Sequence, residues 1–304
     1  MSRLILGSGS LCLNFDFKVQ KPPGWTPEDD IQAAHYLMGE DAFKNPDCIN
    51  NEKSYTNITL RGYLRFCETR NPRSTKKLSA LILGNSHANS AGPIIHRNKV
   101  FDKVITVSGA SCPFPAKGGR GFCPDVMNIG IEVLEQLKPD VTFLLFAYLD
   151  RMLWRSSRPV EEDPKFHILN RTITEFSKYT KAIIINELDV RFSYGATKVF
   201  LRRKKMGPNI KSLRQKRNLS GERAIRRCLH LLLKYCPICV LVRPHDAFCD
   251  DRYCDPIDKE YNLPMFIDHG HIQALGRLRY KPFIDKAISQ AIDIINKNPR
   301  KNKN

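Results

Sequence analysis

Long hydrophobic runs are missing from this sequence. No apolar stretch approaches the ~18 residues needed to cross a membrane, so the chain as given predicts no transmembrane helix. The first residues, MSRLILGSGSLCLNF, make a poor signal peptide, because Gly7 and Gly9 interrupt a short apolar stretch. Two interpretations follow: a cytosolic chain, or a chain whose targeting segment lies outside this sequence.

Acidic residues are scarce relative to basic ones. The 31 Asp and Glu face 49 Lys and Arg, which gives a formal charge of +18. That excess favours anionic partners, namely nucleic acid, acidic glycans or anionic lipid surfaces, without choosing among them. The length of 304 residues, 42% of them hydrophobic, allows one large globular domain or two small ones.

Cysteine is abundant by contrast, with ten in the chain. Three pairs lie close in sequence: Cys112 and Cys123, Cys236 and Cys239, and Cys249 and Cys254. Short-range pairs in loop-like sequence indicate disulfides, and therefore an oxidising lumen or the cell exterior. We predict Cys112–Cys123 and Cys249–Cys254 bridges and, as a weaker prediction, Cys48–Cys67. Cys228, Cys236 and Cys239 stay unassigned.

Zinc binding is the alternative use of these cysteines. The spacing of Cys236, Cys239, Cys249 and Cys254 is similar to that of a zinc ribbon. Against zinc, CPICVLVR has the pattern of a strand running through the CxxC, where a zinc knuckle would form a turn. Three N-glycosylation sequons further favour a lumenal or extracellular chain; they begin at Asn57, Asn170 and Asn218.

Strand-like and helix-like segments alternate from residue 77 onward. Apolar runs of strand length occupy 79–84, 103–109, 141–147, 182–187 and 238–243. Helical patterns occupy 125–138, 167–180, 221–235 and 281–295. This alternation predicts a parallel sheet covered on both faces, with ligands beyond the carboxyl ends of its strands. We expect residues 1–76 to form an irregular N-terminal extension, 77–296 the domain, and 297–304 a disordered basic tail.

A serine follows the first of these strands, in LSALILGNSHANSAG (78–92). The small residues after Ser86 permit a helix packed closely on the sheet, with Ser86 at its N-terminus. Unpaired N–H groups and the positive end of the helix dipole gather there, which suits a developing oxyanion. The alternative is that Ser86 only caps the helix.

A second polar group stands in MFIDHGHIQALG, before the last predicted helix. Asp268 and His271 are three residues apart, so the carboxylate can fold back onto the imidazole ring, as a serine nucleophile requires of its base and orienting acid. Two alternatives stay open. Asp268 can cap the helix while His271 is an exposed loop residue, or His269 and His271 can form an HxH metal pair.

Five segments, in order, resemble SGNH (GDSL-type) hydrolases. LGNSHA resembles their first block, VSGASCPFP (107–115) their second, and DHGHIQALG their last D-x-x-H block. That last form is typical of SGNH domains fused to membrane acyltransferase-3 proteins, which O-acylate carbohydrates. LKPDVTFLLFAYLDR (137–151) and VRPHDAFCDDRYC (242–254) resemble further segments of this branch.

The resemblance implies roles for individual residues. Ser86 would be the nucleophile, His271 the general base and Asp268 the residue that orients it. Backbone N–H groups of Ser86 and Gly109 would form the oxyanion hole. Asn85, where the family usually has Asp, and His87 flank the serine as supporting residues. FAYLDR (146–151) lacks the third-block Asn that donates to the oxyanion in general hydrolases. The loss of one such donor raises the activation barrier by ~2.7–4 kcal/mol unless another group substitutes for it.

The resemblance also implies a fold and a function. We expect a three-layer α/β/α sandwich with a parallel, five-stranded, flavodoxin-like sheet. The expected activity is transfer or hydrolysis of carbohydrate O-acyl groups, above all O-acetyl, through an acyl-serine intermediate. The alternative is a catalytically weak or inactive basic binding module of the secretory lumen.

The expected partners are a carbohydrate acceptor and a membrane acyltransferase-3 domain or protein that supplies an acyl group derived from acetyl-CoA. No cofactor or metal of the domain's own and no nucleic acid are expected. The domain would lie in the ER or Golgi lumen or outside the cell, joined to the membrane through that partner. Because the chain lacks the membrane part, it would be a fragment, a split version or a free-standing esterase.

Two further features have both functional and purely structural interpretations. Nine basic residues and no acidic one lie between Lys198 and Arg217, forming either a docking surface for an anion or a solvated loop between a strand and a helix. Tyr148 and Trp154 follow the third strand and are candidate sugar contacts, with packing in the core or at its rim as the alternative.

Overall fold

The computed structural model describes residues 24, 26–39, 48–58, 64–114, 123–147, 159–206 and 213–297. Its helices are α1 Pro27–Gly39, α2 Ser86–His96, α3 Cys123–Leu137, α4 Pro164–Phe176, α5 Ala196–Lys205, α6 Leu219–Tyr235, α7 Pro244–Phe248 and α8 Ala274–Lys297. Its strands are β1 Leu64–Arg70, β2 Leu78–Gly84, β3 Phe101–Gly109, β4 Val141–Leu145, β5 Ala182–Asn186, β6 Gln215–Lys216, β7 Cys239–Val242 and β8 Tyr253–Cys254. Single 3₁₀ turns cover Glu52–Ser54 and Val160–Glu162.

Six of these strands form one sheet in the order β1-β3-β2-β4-β5-β7. All neighbours are parallel except β1, which pairs antiparallel with β3 at the edge. β6 and β8 form a separate two-stranded antiparallel sheet. The strands of the large sheet are almost continuously buried, as expected of a parallel sheet with both faces covered.

Successive side chains of a strand supply opposite faces of the sheet. In β2, Ala80 and Ile82 pack into a core built with α1, α2, α5 and α8. Leu81 and Leu83 pack into a second core built with α3, α4 and α6. Two hydrophobic cores on either side of one sheet make the predicted three-layer α/β/α sandwich, and this prediction is confirmed.

The expected strand count of five was wrong, because β1 adds a sixth strand at the edge. β1 lies inside the segment 1–76, where no regular sheet strand was expected. Its sequence, LRFCETR, carries three charged residues, and such charges are common on edge strands. One of them, Glu68, is buried and bonded by Arg70 Nε at 2.7 Å, with Tyr55 and Asn51 each at 3.4 Å.

The basic segment Lys198–Arg217 is not simply a loop. Its first part lies on α5, where Phe200 is fully buried and Lys198, Arg202 and Lys205 are exposed. Lys204 pairs with Asp30 of α1, an acidic partner that lies far away in sequence. Residues 207–212 lie outside the described residues. The loop alternative is therefore wrong for 198–205.

The described cysteines form four disulfides. Cys48–Cys67, Cys112–Cys123 and Cys249–Cys254 are present as predicted. Cys236 pairs with Cys239, which the sequence had left unassigned, and Cys228 is a buried free thiol. The four cysteines of the zinc alternative are therefore joined in two disulfides. Disulfides of this number indicate folding in an oxidising compartment.

Several predictions lie outside the described residues. They concern Tyr148 and Trp154 as sugar contacts and the disordered tail 297–304, of which only Lys297, the last residue of α8, is described. Within the part of the chain that the structure covers, no helix combines the length and hydrophobicity of a membrane span.

Candidate functional site

The site lies at the carboxyl edge of the sheet, where β2 ends at Gly84 and α2 begins at Ser86. Asn85 between them is the N-cap of α2, and its Oδ1 accepts a hydrogen bond from the His87 N–H at 3.1 Å. This sharp strand-to-helix connection turns the Ser86 hydroxyl toward the loop that precedes α8.

Ser86, His271 and Asp268 form a continuous hydrogen-bonded chain. The Ser86 hydroxyl donates to Nε2 of His271 at 2.7 Å. Nδ1 of His271 donates to Oδ2 of Asp268, also at 2.7 Å. The side chain of His271 is 21% exposed and that of Asp268 44% exposed, so the triad lies at an open surface rather than in a closed chamber.

The loop Asp268–His271 is held on both sides. Oδ1 of Asp268 accepts from the N–H groups of Gly270 and His271, each at 2.9 Å. Outside the loop, Phe192 N–H donates to the carbonyl of His269 at 2.7 Å, and Ala196 N–H to that of Asp268 at 3.1 Å. The ring of His271 therefore has a defined position relative to Ser86.

The carboxyl group of Asp268 is kept ionised by these contacts. Partial burial acts to raise its pKa, but the hydrogen bonds from the His271 ring and from the N–H groups of His271 and Gly270 outweigh it. The pKa of Asp268 consequently lies well below its usual range. An ionised carboxylate beside Nδ1 favours the tautomer whose Nε2 can accept a proton from serine.

The two residues predicted to form an oxyanion hole, Ser86 and Gly109, follow or end neighbouring strands. The side chain of Asn85 accepts a hydrogen bond from the His87 N–H, and its backbone carbonyl accepts one from the Ala88 N–H. The Ser86 N–H at the helix N-terminus is left without an acceptor in the described part of the chain. Gly109 ends the neighbouring strand β3, and a Cβ there would overlap Val126. The structure thus brings the two predicted oxyanion-hole residues to adjacent strand ends.

Asn85 does more than occupy the usual place of an aspartate. Its Nδ2 donates to the carbonyls of Cys112 and Ala147, each at 3.3 Å, and its Oδ1 accepts from the Ala147 N–H at 3.3 Å. A side chain that both donates and accepts therefore connects the ends of three strands. An aspartate could not donate these bonds while ionised.

The HxH metal alternative does not match the geometry. Both ring nitrogens of His271 are engaged by Ser86 and Asp268. His269 turns its Nδ1 to the carbonyl of Phe192 at 3.1 Å. Among the described residues, a cluster with metal-ligand spacing does occur at His245, Cys249 and Cys254, but its two cysteines are joined in a disulfide.

Sequence reasoning missed the polar residues at and just after the end of β5, namely Asn186 and Asp189. Asn186 is buried and bonds both the N–H and the carbonyl of Phe146, at 2.9 and 3.1 Å. Its Nδ2 also contacts Oδ1 of Asp189 at 3.3 Å, and Asp189 in turn lies beside His87. The same rule that singled out Ser86, polar residues directly after a buried strand, would have found them in IIINELD.

This fold and this site are those of serine enzymes that transfer or hydrolyse acyl groups. A family model described as SGNH domain (fused to AT3 domains) matches residues 47–286. The chain therefore belongs to the family of SGNH domains that are fused to acyltransferase-3 (AT3) domains.

Two solved structures are similar to this chain. The periplasmic domain of a lipopolysaccharide acetyltransferase from Salmonella ser. Paratyphi A gives a TM-score of 0.56 at 15% identity, covering 86% of this chain and 97% of that chain. A protein assigned as an acylhydrolase from Bacteroides fragilis NCTC 9343 gives a TM-score of 0.38 at 11% identity, covering 73% and 91%. The first similarity concerns the fold, and the second is too low to carry an argument. A comparison with curated proteins found no match.

Proposed function

We propose that this domain transfers or hydrolyses O-acyl groups through an acyl-serine intermediate on Ser86. The observation that carries the proposal is the chain of 2.7 Å hydrogen bonds from Ser86 through His271 to Asp268. In this series of hydrogen bonds Ser86 has His271 as a base, and His271 has the charged Asp268 as the partner that orients it.

The first half-reaction uses each of these groups in turn. Oγ of Ser86 forms a bond to the acyl carbonyl carbon, while its proton moves to Nε2 of His271. The electron pair of the carbonyl moves to its oxygen, which accepts hydrogen bonds from the N–H groups of Ser86 and Gly109. When the tetrahedral intermediate collapses, His271 returns the proton to the departing alkoxide, and the acyl group stays on Ser86.

The second half-reaction decides between transfer and hydrolysis. His271 takes a proton from an incoming hydroxyl, whose oxygen attacks the acyl-serine carbonyl; when the tetrahedral intermediate collapses, His271 returns the proton to Oγ of Ser86. A sugar hydroxyl gives O-acylation and water gives hydrolysis. The open position of the triad, with Asp268 44% exposed, supports an acceptor too large to be enclosed, such as a carbohydrate chain.

The proposed donor is an acyl group, above all acetyl, delivered by a membrane acyltransferase-3 module from acetyl-CoA. Family membership supports this pairing, because the family is described by fusion to AT3 domains. The module, fused or separate, would carry the acyl group across the membrane to Ser86.

The proposed compartment is the ER or Golgi lumen or the cell exterior, next to that membrane partner. The four disulfides support an oxidising environment. Two of the three sequon asparagines, Asn57 and Asn218, are exposed, while Asn170 is half-buried on α4. We therefore propose that glycans are attached at Asn57 and Asn218 in preference to Asn170.

A fluorophosphonate probe tests the proposal, because it labels only an activated serine. We expect the wild-type domain to label and to hydrolyse aryl acetates, and the variant Ser86→Ala to do neither. Ser289→Ala, an exposed serine on α8, serves as the matched control and should behave as wild type. A folded wild-type domain that neither labels nor turns over would instead favour the non-catalytic basic binding module.

A further inference from the structure

His87 is wedged between the triad and the carboxyl end of β5. It follows Ser86 in α2, and its side chain is 12% exposed. Its ring centroid lies 4.5 Å from that of His271, with the two ring planes tilted by 34°. Gly270 lies over the same ring, since a Cβ at this glycine would come within 3.4 Å of Cε1 of His87. The ring therefore contacts both the base and the loop that carries it.

Asp189 supports His87 from behind. Its Oδ2 lies 3.3 Å from Nδ1 of His87, and its Oδ1 accepts from Asn186 Nδ2 at 3.3 Å. Asn186 is fixed in turn by the backbone of Phe146 at the end of β4. This series of contacts connects His87 to the rigid part of the sheet.

A small cavity of about 20 Å³ lies beside His87 and is bordered by Asp189, Gly270 and Tyr280 among others. This is room for one water molecule. The hydroxyl of Tyr280 is buried without a hydrogen-bond partner among the described residues, and so is Oδ2 of Asp189, whose 3.3 Å approach to His87 Nδ1 is a contact and not an aligned hydrogen bond.

The side chains of His87 and Asp189 are uncharged at neutral pH, as befits neighbours of the proposed base His271. Burial, with His271 and Arg191 nearby, lowers the pKa of His87 to about 3, while Asp268 acts weakly in the other direction. Burial raises the pKa of Asp189 to about 8, against the effects of Asn186 and Arg191. At neutral pH both side chains are therefore in their uncharged forms. An uncharged ring does not repel the imidazolium that forms on His271 during acyl transfer.

We propose that His87, backed by Asp189, is a positioning residue that holds the imidazole of His271 between Ser86 and Asp268. The proposal deepens the proposed function and rests on it for its kinetic consequences. His87 itself takes no proton from the substrate and touches no reacting atom. Its effect is geometric, and displacement of a catalytic group by ~1 Å costs about 10²-fold in rate.

Two substitutions of His87 distinguish a role of the ring as packing support from a role of its nitrogen atoms. His87→Ala removes the supporting ring and should lower kcat by about 10- to 100-fold with KM little changed. His87→Phe restores a flat uncharged ring and should recover most of that loss. His167→Ala, at an exposed histidine on α4, is the matched control and should match wild type.

NMR spectroscopy reports the position of the His271 ring without any enzymatic turnover. The Nδ1 proton that His271 shares with Asp268 should give a downfield imidazole resonance in the NMR spectrum of the wild type. We expect the resonance to broaden or disappear in His87→Ala and to persist in His87→Phe and His167→Ala. Circular dichroism of each variant confirms that the domain is folded.

The outcomes distinguish this inference from the proposed function. If the wild type is active and His87→Ala keeps both its kcat and the downfield resonance, the positioning role is overturned while the acyl chemistry stands. If the wild type is inactive, the proposed function fails, and the resonance alone still decides whether His87 holds the ring. A loss in His87→Phe as large as that in His87→Ala would also overturn the inference, because it would require the imidazole itself.

Discussion

Three hydrogen-bond donors converge on the carboxylate of Asp268: the ring of His271 and the N–H groups of Gly270 and His271. The carboxylate is therefore anchored by its own loop and needs no help from a distant element. In the proposed mechanism its charge stabilises the imidazolium formed on His271, and its position selects the ring tautomer. At the residue scale, the proposal therefore makes the action of His271 as a base depend on this one side chain.

Asp268→Asn keeps the shape of the side chain but removes the charge and favours the wrong tautomer of His271. We expect kcat for aryl acetate hydrolysis to fall by about 10⁴-fold, with KM and stability little changed. His269→Ala removes only a hydrogen bond to the Phe192 carbonyl and should cost less than about 10-fold. A larger loss in His269→Ala than in Asp268→Asn would show that the triad is assigned wrongly.

Asn85 offers a test in which the usual residue of the family is the damaging one. Asn85→Asp would point a buried carboxylate at the carbonyls of Cys112 and Ala147, where the amide now donates. We expect the free energy of unfolding to fall by about 1–3 kcal/mol. The loss should be smaller at pH 5 than at pH 8, because a protonated carboxyl group keeps one donor. Denaturant titrations measure it, with Asn170→Asp on α4 as the control.

At the scale of elements, the β2–α2 junction determines where Ser86 lies. A Cβ at Gly84 would overlap both the carbonyl oxygen of Leu145 in β4 and the Cβ of Ala88 in α2. Glycine at this position therefore lets a neighbouring strand and the following helix approach together. The small residues predicted to allow close helix packing do so here, at the first turn of α2.

Gly84→Ala should destabilise the domain by about 1–3 kcal/mol, because the overlapping atoms are backbone and helix and cannot simply rotate away. It should also lower kcat, since Ser86 lies only two residues further on. Gly92→Ala in the same helix is the matched control. Its added Cβ would make contacts of 3.7–3.9 Å, so thermal unfolding should show no loss of stability. Equal effects of the two substitutions would contradict this account.

The sequence predicted the elements whose pattern is local. All five strands with continuous apolar runs were found, and their parallel arrangement followed from the helices between them. β1 was missed because Glu68 is buried through contacts with Asn51 and Tyr55, which no local pattern reveals. α5 was missed for a similar reason, since its charge is partly offset by Asp30 on a distant helix.

The residues of the candidate site were predictable where they lie just after a strand or in a short motif. Ser86, Asp268 and His271 could be named from spacing and family resemblance, and the structure brings them together. The support of His87 by Asp189 could not, because it depends on which strands are neighbours. That order, with β5 two places from β2, is a property of the assembled sheet.

At the scale of the whole molecule, buried histidines make stability depend on pH. His96 lies between Thr69 and Thr106, each 2.7 Å from a ring nitrogen, and connects α2 to β1 and β3. Burial, with a smaller effect of Arg97, lowers its pKa to about 3, against ~6.5 in an unfolded chain. Below pH 6.5 the unfolded chain therefore binds a proton that the folded protein does not. The stabilisation is complete above pH 6.5 and is lost as the pH falls toward 3.

We therefore expect the free energy of unfolding to fall on acidification, His96 contributing about 1.4 kcal/mol per pH unit between pH 6.5 and 3. His87 acts in the same direction, and Asp189 opposes it, because a raised carboxyl pKa stabilises the protein toward low pH. Urea titrations of His96→Gln should show a shallower pH dependence than wild type. His35→Gln, at an exposed position on α1, should retain the full slope; equal slopes in all three would contradict the assignment.

Ser86 and His271 are 185 residues apart in the chain, although their side chains share a hydrogen bond. A ribosome adding ~5–20 residues per second needs roughly 9 to 37 seconds to pass from one to the other. In the mechanism we propose, the serine has no base during that interval and is a poor nucleophile. The nascent chain should therefore not react with acyl donors until the loop Asp268–His271 has been synthesised and docked beside α2.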